Sequence, residues 1–315
     1  MPFGSWLIRW ISRPFRGCLG ESRRKGLNIE NILRDNDRVM FVENGHGRKG
    51  ILIFRQKVTK SGTGLIYAGV SFVDQLPVVF KVVKKKYRNL LLKEYMIMRS
   101  VWHRNVLPVW EIDFSIKGDL VIMRMDGAYY RDLYSYISAM KGYVTRALLD
   151  KWMKELVSGM CHVHSKGYVH GDLNYKNVLL TKDLSIRVAD FGSADKKSKF
   201  KLTRYDPQFL PPELNPWRLE PIPYEYDPRL IDIWGVGVVL FFALTKHHPF
   251  TEIITMSSTD IHGNCPGETL IYEDDRKRCS PSYAKVVGKL MDYNAARRPK
   301  LNYIIEQNYF NETQT

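Results

Sequence analysis

The hydrophobic pattern of this chain changes its period near residue 126, which limits the folds that it can adopt. Before that point, short β-rich runs alternate with Gly, Asp and Asn turns: GILIFRQKV, LIYAGVSF, LPVVFKVV and DLVIMRM. These runs predict an antiparallel sheet. One helix should interrupt it in KYRNLLLKEYMIMRSV, where Leu91, Tyr95 and Met98 recur at helical spacing.

Beyond that point the apolar residues take helical spacing. TRALLDKWMKELVSGMCHVHSKG repeats them every three or four positions, and Gly167 is the expected cap at its end. IDIWGVGVVLFFALT is apolar nearly all round, which predicts a buried helix. The chain is therefore predicted to be an α+β protein with a small sheet-rich lobe and a larger helical lobe, and a cleft between lobes is a preferred ligand site.

Composition narrows the class of protein. The 315 residues, 44% of them hydrophobic, suffice for one or two domains. Four widely spaced cysteines without a CxxC pair argue against a disulfide framework or a zinc site, and they favour an intracellular location, cytoplasm or nucleus. No apolar run reaches the ~20 residues of a membrane span. The net charge of +15 comes without a nucleic-acid-binding motif, so nucleic acid is a disfavoured partner.

Residues 1–46 are expected to be a basic N-terminal extension. Trp6, Leu7, Trp10 and Ile11 could share one face of a helix before Pro14, among several arginines. A basic, Trp-bearing amphipathic segment can lie on a membrane surface. The alternative is an arm that packs against the domain or stays disordered.

Polar residues interrupt the apolar run YVHGDLNYKNVLL at Asp172 and Asn177. A polar turn between a helix and a strand would explain them. They could equally be two oxygen-bearing side chains that serve a metal ion and a proton. Asp190 follows in VADFG, and such oxygen ligands suit Mg²⁺ and not zinc.

Lys81 lies within VVFKVV, an otherwise apolar strand, where a lysine is costly unless it is paired. Glu94, thirteen residues later in the predicted helix, is its expected partner. A lysine on an edge strand could instead extend its ammonium into solvent.

Taken in order, these residues resemble the eukaryotic protein kinase superfamily from about residue 50 to 306. The resemblance implies that Lys81 binds the phosphates of ATP with Glu94 as its partner, that Asp172 is the catalytic base, and that Asn177 and Asp190 hold Mg²⁺. It extends to HRNVLPV, a His-x-Asn turn, and to a glutamate–arginine pair and a buried aspartate that anchors the catalytic loop: Glu213, Arg298 and Asp232. The lobes implied are 47–126 and 127–306, with a tail at 307–315.

The glycine-rich loop departs from the family pattern. TKSGTG is aligned with it, so Thr59 and Ser61 replace the first two glycines and Gly64 keeps the third. The ATP-binding residues expected from this alignment, besides Lys81, are Thr59, Lys60, Ser61, Gly62, Thr63 and Gly64.

The catalytic loop also departs. Gly171 replaces the arginine that reads an activation-loop phosphate in the family, which implies activity without that phosphorylation. Asn174 stands where many serine/threonine kinases carry a lysine, and Asp206 where they carry a threonine. Because Asp206 would repel Asp172, we expect Lys176 to bridge the two carboxylates as a further catalytic residue.

The resemblance implies an ATP- and Mg²⁺-dependent protein kinase, with Ser and Thr favoured over Tyr. The alternative is a pseudokinase scaffold, which the altered glycine loop would favour. The basic segment DKKSKFKLTRYDPQF predicts protein substrates with acidic residues around the phosphorylated site, through charge complementarity.

Overall fold

The structure is a computed structural model that describes residues 40–41, 51–61, 64–71, 77–114, 120–202, 206–214, 226–249 and 281–306. The chain divides into two compact units: Met1–Met96 with Pro108–Tyr130, and Ile97–Leu107 with Arg131–Thr315. The predicted change of lobe at residue 126 lies just before the unit boundary at Tyr130. The extension, apart from Met40–Phe41, and the tail at 307–315 lie outside the described residues.

The first unit is built on an antiparallel sheet. Its described strands are β1 (Met40–Phe41), β2 (Ile51–Ser61), β3 (Gly64–Ser71), β4 (Pro77–Lys84), β5 (Val109–Asp113) and β6 (Leu120–Asp126). They follow the order β1-β2-β3-β4-β6-β5 in the sheet, so β4 lies between β3 and β6, and Lys81 of β4 faces Ile66 and Met123.

Helix α1 (Arg88–Ser100) follows β4 after a short 3₁₀ turn. Leu91 and Met98 are buried, as their spacing predicts, and Tyr95 is half-buried. Glu94 lies on the same buried face with only 4% exposure. A carboxylate among apolar side chains needs a partner.

Helices dominate the second unit. The described helices are α2 (Leu133–Ala139), α3 (Arg146–Ser165), α4 (Arg229–Thr245), α5 (Pro281–Leu290) and α6 (Leu301–Glu306).

The two helices predicted here from sequence are confirmed. Thr145 caps the start of α3, and Gly167 follows its end with φ +78°, the left-handed conformation that glycine adopts without strain. Helix α4 is buried along most of its length. No helix in the described part of the chain has the length and apolar character that a membrane span requires.

Two small antiparallel strand pairs flank the predicted catalytic loop. Strand β7 (Tyr168–Val169) pairs with β10 (Asp195–Lys196), and β8 (Val178–Leu180) pairs with β9 (Ile186–Val188). The loop between β7 and β8 carries Asp172 and Asn177, and the turn after β9 carries Asp190. Strand pairing therefore places the predicted loop residues at neighbouring strand ends.

Candidate active site

In the first unit, Lys81 and Glu94 form the predicted ion pair. The Lys81 Nζ atom lies 2.7 Å from Glu94 Oε1 and 2.8 Å from Oε2. Each residue is only 4% exposed, so the edge-strand alternative for Lys81 does not hold. Burial removes both charges from water, and the close bidentate contact offsets that cost.

The predicted glycine loop falls at the turn between β2 and β3. Thr59, Lys60 and Ser61 end β2, and Ser61 faces Gly64 at the start of β3. Gly62 and Thr63 lie outside the described residues. A Cβ at Gly64 would lie 2.2 Å from the Val82 carbonyl oxygen, so glycine is needed there because β4 passes so close. The assignment of this turn to ATP stays a prediction.

In the second unit, Asp232 holds the catalytic loop. Its Oδ2 atom accepts from the His170 N–H at 2.8 Å, and its Oδ1 atom accepts from the Gly171 N–H at 2.9 Å. His164 Nε2 lies 2.8 Å from Oδ2. Asp232 is fully buried in α4, so a rigid helix sets the backbone of the loop immediately before Asp172.

His170 connects the loop to the strand that leads to Asp190. Its Nδ1 atom accepts from the Asp172 N–H at 3.2 Å, and its Nε2 atom lies 3.0 Å from the Ala189 carbonyl. Because a carbonyl can only accept, the Nε2 atom carries the proton. The ring therefore orients Asp172 and the backbone next to Asp190 together.

The Asp172 carboxylate is a desolvated group close to other charges. Burial raises its pKa to about 6, and repulsion from Asp190 and Asp206 acts in the same direction. The Asn177 amide donates to Asp172 Oδ2 at 3.2 Å and to the Asp172 carbonyl at 2.8 Å, and its bond to the carboxylate opposes the rise. A general base works best with a pKa near the operating pH.

Asn177 and Asp190 suit a hard divalent cation. The Asn177 amide nitrogen donates to Asp172, so the amide oxygen is the atom that could bind the cation. Asp190 is exposed, with φ +60°, and its Oδ1 atom accepts from the Gly192 N–H at 3.3 Å. Within the described ranges no group of three or more His, Cys, Asp and Glu could form a metal site. Mg²⁺ commonly takes one or two protein ligands and completes its shell with phosphates and water.

The His-x-Asn turn fastens the strand before Asp190. Asn105 is buried, and its side chain donates to the Ile186 carbonyl at 3.1 Å. Its own carbonyl accepts from the Val188 N–H at 2.8 Å, and the Val188 carbonyl accepts from Leu107 N–H at 2.8 Å. The turn thus fixes β9 by three hydrogen bonds.

The expected Lys176 bridge is not formed in the described residues. The Lys176 ammonium lies over the Phe209 ring, 5.4 Å from its centroid, with no ion pair to Asp172 or Asp206. Asn174 Oδ1 accepts from the backbone N–H of Lys176 at 2.9 Å, so it holds the backbone there and not the ammonium. Asp206 has another partner, because its carboxylate accepts from both the backbone and the side chain of Gln208.

Asn174 was not among the predicted site residues, although the structure places it against Asp172. It is 4% exposed and its amide nitrogen lies 3.3 Å from Asp172 Oδ1. A neutral donor therefore stands beside the carboxylate where the resemblance leads one to expect a lysine. The unusual residue two positions after Asp172 was the available signal.

The second predicted ion pair joins Glu213 and Arg298. Two parallel bonds of 2.7 Å connect the guanidinium to the carboxylate. Tyr226 donates to Glu213 Oε1 at 2.7 Å, and the Trp234 ring lies 4.8 Å from the guanidinium carbon. This pair fixes the chain that follows the catalytic loop.

Comparison with known proteins agrees with this geometry. The sequence profile of the protein kinase domain matches residues 54–310, so the chain belongs to the protein kinase family. CBL-interacting protein kinase 14 of Oryza sativa subsp. japonica is 28% identical over 240 residues, which cover 73% of this chain and 50% of that protein.

Two further relatives come from other organisms. Probable serine/threonine-protein kinase KKQ8 of Candida glabrata is 26% identical, over 65% of this chain and 30% of its own length. Serine/threonine-protein kinase plk-2 of Caenorhabditis elegans is 23% identical, over 90% of this chain and 42% of its own length. The chain thus spans half or less of the length of these relatives.

Proposed function

We propose that this protein transfers the γ-phosphate of ATP, with Mg²⁺, to Ser or Thr hydroxyls of protein substrates. The observation that carries the proposal is the catalytic loop. Asp172 is held by Asn177, His170 and, through the preceding backbone, Asp232. A chain that had lost transfer would have no need to keep a desolvated carboxylate so closely oriented.

Each residue has a definite task in this proposal. Lys81, oriented by Glu94, binds phosphate oxygens as a point charge. Asn177 and Asp190 would hold the divalent cation, which neutralises charge that develops on the phosphates. The Asp172 carboxylate accepts the proton of the attacking hydroxyl, and its raised pKa suits that step.

Two observations support Ser and Thr over Tyr as the acceptors. The relatives from Candida glabrata and Caenorhabditis elegans are named serine/threonine-protein kinases. The segment from 206 to 214 also lacks the Trp-Met pattern expected of tyrosine kinases. Parallel assays on Ser, Thr and Tyr versions of one peptide test this choice.

A pseudokinase scaffold is the second candidate. It is favoured by Thr59 and Ser61 in the glycine loop, because these residues tolerate positive φ less well than glycine. Incubation with labelled ATP, Mg²⁺ and a generic protein substrate separates the two. We expect transfer by the wild type and none by Asp172→Asn, with nucleotide binding kept by both. Equal labelling by both proteins, or none by either, would contradict the proposal.

Acidic flanking residues are the proposed substrate preference. Lys196 and Lys199 are exposed, and so is Lys176 in the catalytic loop. Lys197 contributes less, because its ammonium lies 3.0 Å from Asp227. Peptide arrays at low and high salt test the preference, which should weaken as salt screens exposed charges.

An intracellular location and membrane contact through residues 1–46 also remain proposals. The first is supported by the sparse cysteines and by the need for ATP. The second is supported only by the basic, Trp-bearing sequence. Sedimentation of the full chain with anionic and neutral vesicles tests the second.

A further inference from the structure

The segment that follows Asp190 returns to the catalytic loop at Phe200. Gly171 has φ +78°, and a Cβ built on it would lie 2.5 Å from Cε2 and 2.7 Å from Cζ of the Phe200 ring. The ring therefore lies directly against the backbone of the residue before Asp172. Any side chain at 171 would be excluded twice, by the backbone conformation and by the ring.

Three further contacts hold the same segment. Strand β10 pairs with β7. The Lys197 N–H donates to the Gly167 carbonyl at 2.8 Å, and the Lys197 ammonium pairs with Asp227. This ion pair is 43% and 30% exposed at its two side chains, so it is a weak surface contact.

These contacts differ in where they act. The strand pairing and the Lys197 N–H hold the segment at residues 167 to 169, before the loop, and the Lys197 ammonium holds it at Asp227. Phe200 reaches Gly171 itself, whose N–H donates to Asp232 and whose neighbour is the base. Because the contact is apolar and half-buried, it needs no counter-charge and no modification.

We propose that Phe200 is a positioning residue for phosphoryl transfer, because its ring on Gly171 holds the segment after Asp190 against the catalytic loop. This inference rests on the proposed function. It explains how position 171 can be glycine, although the family usually has a phosphate-binding arginine there. Phosphatase treatment of the wild type should accordingly leave its transfer rate unchanged.

Kinetics of three variants test the inference. Phe200→Ala should lower kcat/KM for a peptide by roughly 10- to 100-fold, since misplacement of about 1 Å can cost on the order of 10²-fold. The peptide KM should rise while the KM for ATP stays constant. Phe200→Leu should restore most of the loss. Ser198→Ala, an exposed neighbour in the same segment, is the matched control and should behave as wild type.

A purely structural role would give a different result. It would lower kcat through a smaller folded fraction, leave the peptide KM unchanged, and lower the melting temperature. Either that pattern or wild-type kinetics in Phe200→Ala would overturn the inference.

Limited trypsin digestion provides a readout that does not depend on transfer. Cleavage after Lys199 and Lys201 should be faster in Phe200→Ala than in the wild type or Ser198→Ala. Unchanged cleavage with an active wild type would overturn the inference alone. A wild type without transfer would overturn the proposed function, and the catalytic part of the inference with it.

A double-mutant cycle isolates the contact. Gly171→Ala should destabilise the wild type more than it destabilises Phe200→Ala, because the second background lacks the ring that the new methyl group would meet. Strict additivity of the two changes in melting temperature would show that the contact is not coupled, and would overturn the inference.

Discussion

Two buried ion pairs, one in each unit, look alike and are embedded differently. Lys81–Glu94 and Arg298–Glu213 are both bidentate, with nitrogen–oxygen distances between 2.7 and 2.8 Å. In both pairs the side chains are at most 5% exposed. Burial and distance alone would assign them the same role.

Their surroundings separate them. The Arg298 guanidinium also donates to the carbonyls of Leu230 at 3.1 Å and Asp292 at 2.9 Å. Tyr226 donates to the carboxylate, and burial together with Glu213 raises the pKa of Tyr226 above its usual range. This pair is the centre of a network that joins several chain segments.

The first pair joins one strand to one helix. An ammonium is a compact charge with three rotatable protons, whereas a guanidinium fits a planar fork. A lysine can therefore turn toward a phosphate while it keeps its carboxylate, and an arginine in a saturated network cannot. Similar distances are thus compatible with the phosphate-binding role proposed for Lys81 and with a structural role for Arg298.

The largest expected effect is the loss of transfer in Lys81→Met. A donor aimed at developing phosphate charge is worth roughly 10²–10³-fold in rate, and we expect at least that loss in single-turnover assays. Lys84→Met changes an exposed lysine at the end of the same strand and is the matched control. Comparable rates in the two variants would remove Lys81 from the phosphate-binding set.

Arg298→Met should be the most destabilising change. Breaking a buried pair leaves one uncompensated charge, at a cost of about 3–5 kcal/mol, here on Glu213. Urea denaturation measures the loss, and Arg297→Met, at an exposed neighbour, is the control. A loss below ~1 kcal/mol would contradict the structural role of this pair.

Replacing both charged residues of each ion pair by apolar residues should then separate the two pairs further in stability. Lys81→Met with Glu94→Leu should regain most of the stability lost in Lys81→Met, without regaining transfer. Arg298→Met with Glu213→Leu should stay destabilised by about 1–3 kcal/mol, because Tyr226 and two carbonyls lose their partners. Denaturation and transfer are measured on all four proteins. Equal recovery of stability in both doubles would erase the distinction.

The smallest expected effect concerns the half-exposed Asp227. Burial acts to raise its pKa, but hydrogen bonds from Arg229 and Lys197 outweigh it, so the pKa lies below its ordinary value. The contribution of the Asp227 carboxylate to the free energy of unfolding is complete above the unfolded-state pKa of about 3.9. It is lost as the pH falls from there through the lower pKa of the folded state. Asp227→Asn should cost under ~1 kcal/mol at pH 7, and the difference should shrink at pH 3 in urea denaturation. A constant difference would contradict this assignment.

Sequence reasoning succeeded where residues are buried and patterned. Lys81 is a charged residue in an apolar run, so it needed a partner such as Glu94, whereas Asp232 was identified through the family resemblance. Sequence reasoning missed strand β5, whose residues Trp110 and Glu111 break the apolar alternation and whose pairing is irregular.

Sequence reasoning also predicted a Lys176 bridge that the structure does not form, because the ammonium lies over the Phe209 ring and Asp206 accepts from Gln208. Phe200 was out of reach for a different reason. Its contact depends on a positive φ at Gly171 and on the path of the segment after Asp190. Neither feature can be predicted from the residue types in the sequence.

The anchoring of the loop by Asp232 has a consequence for how the chain is made. Asp232 follows His170 by 62 residues, and synthesis proceeds at about 5–20 residues per second. The catalytic loop is therefore synthesised roughly 3–12 seconds before its anchor. During that interval the N–H groups that Asp232 later accepts from must bond to water or to other parts of the chain. The site is completed late, when a helix from the second half of the sequence arrives.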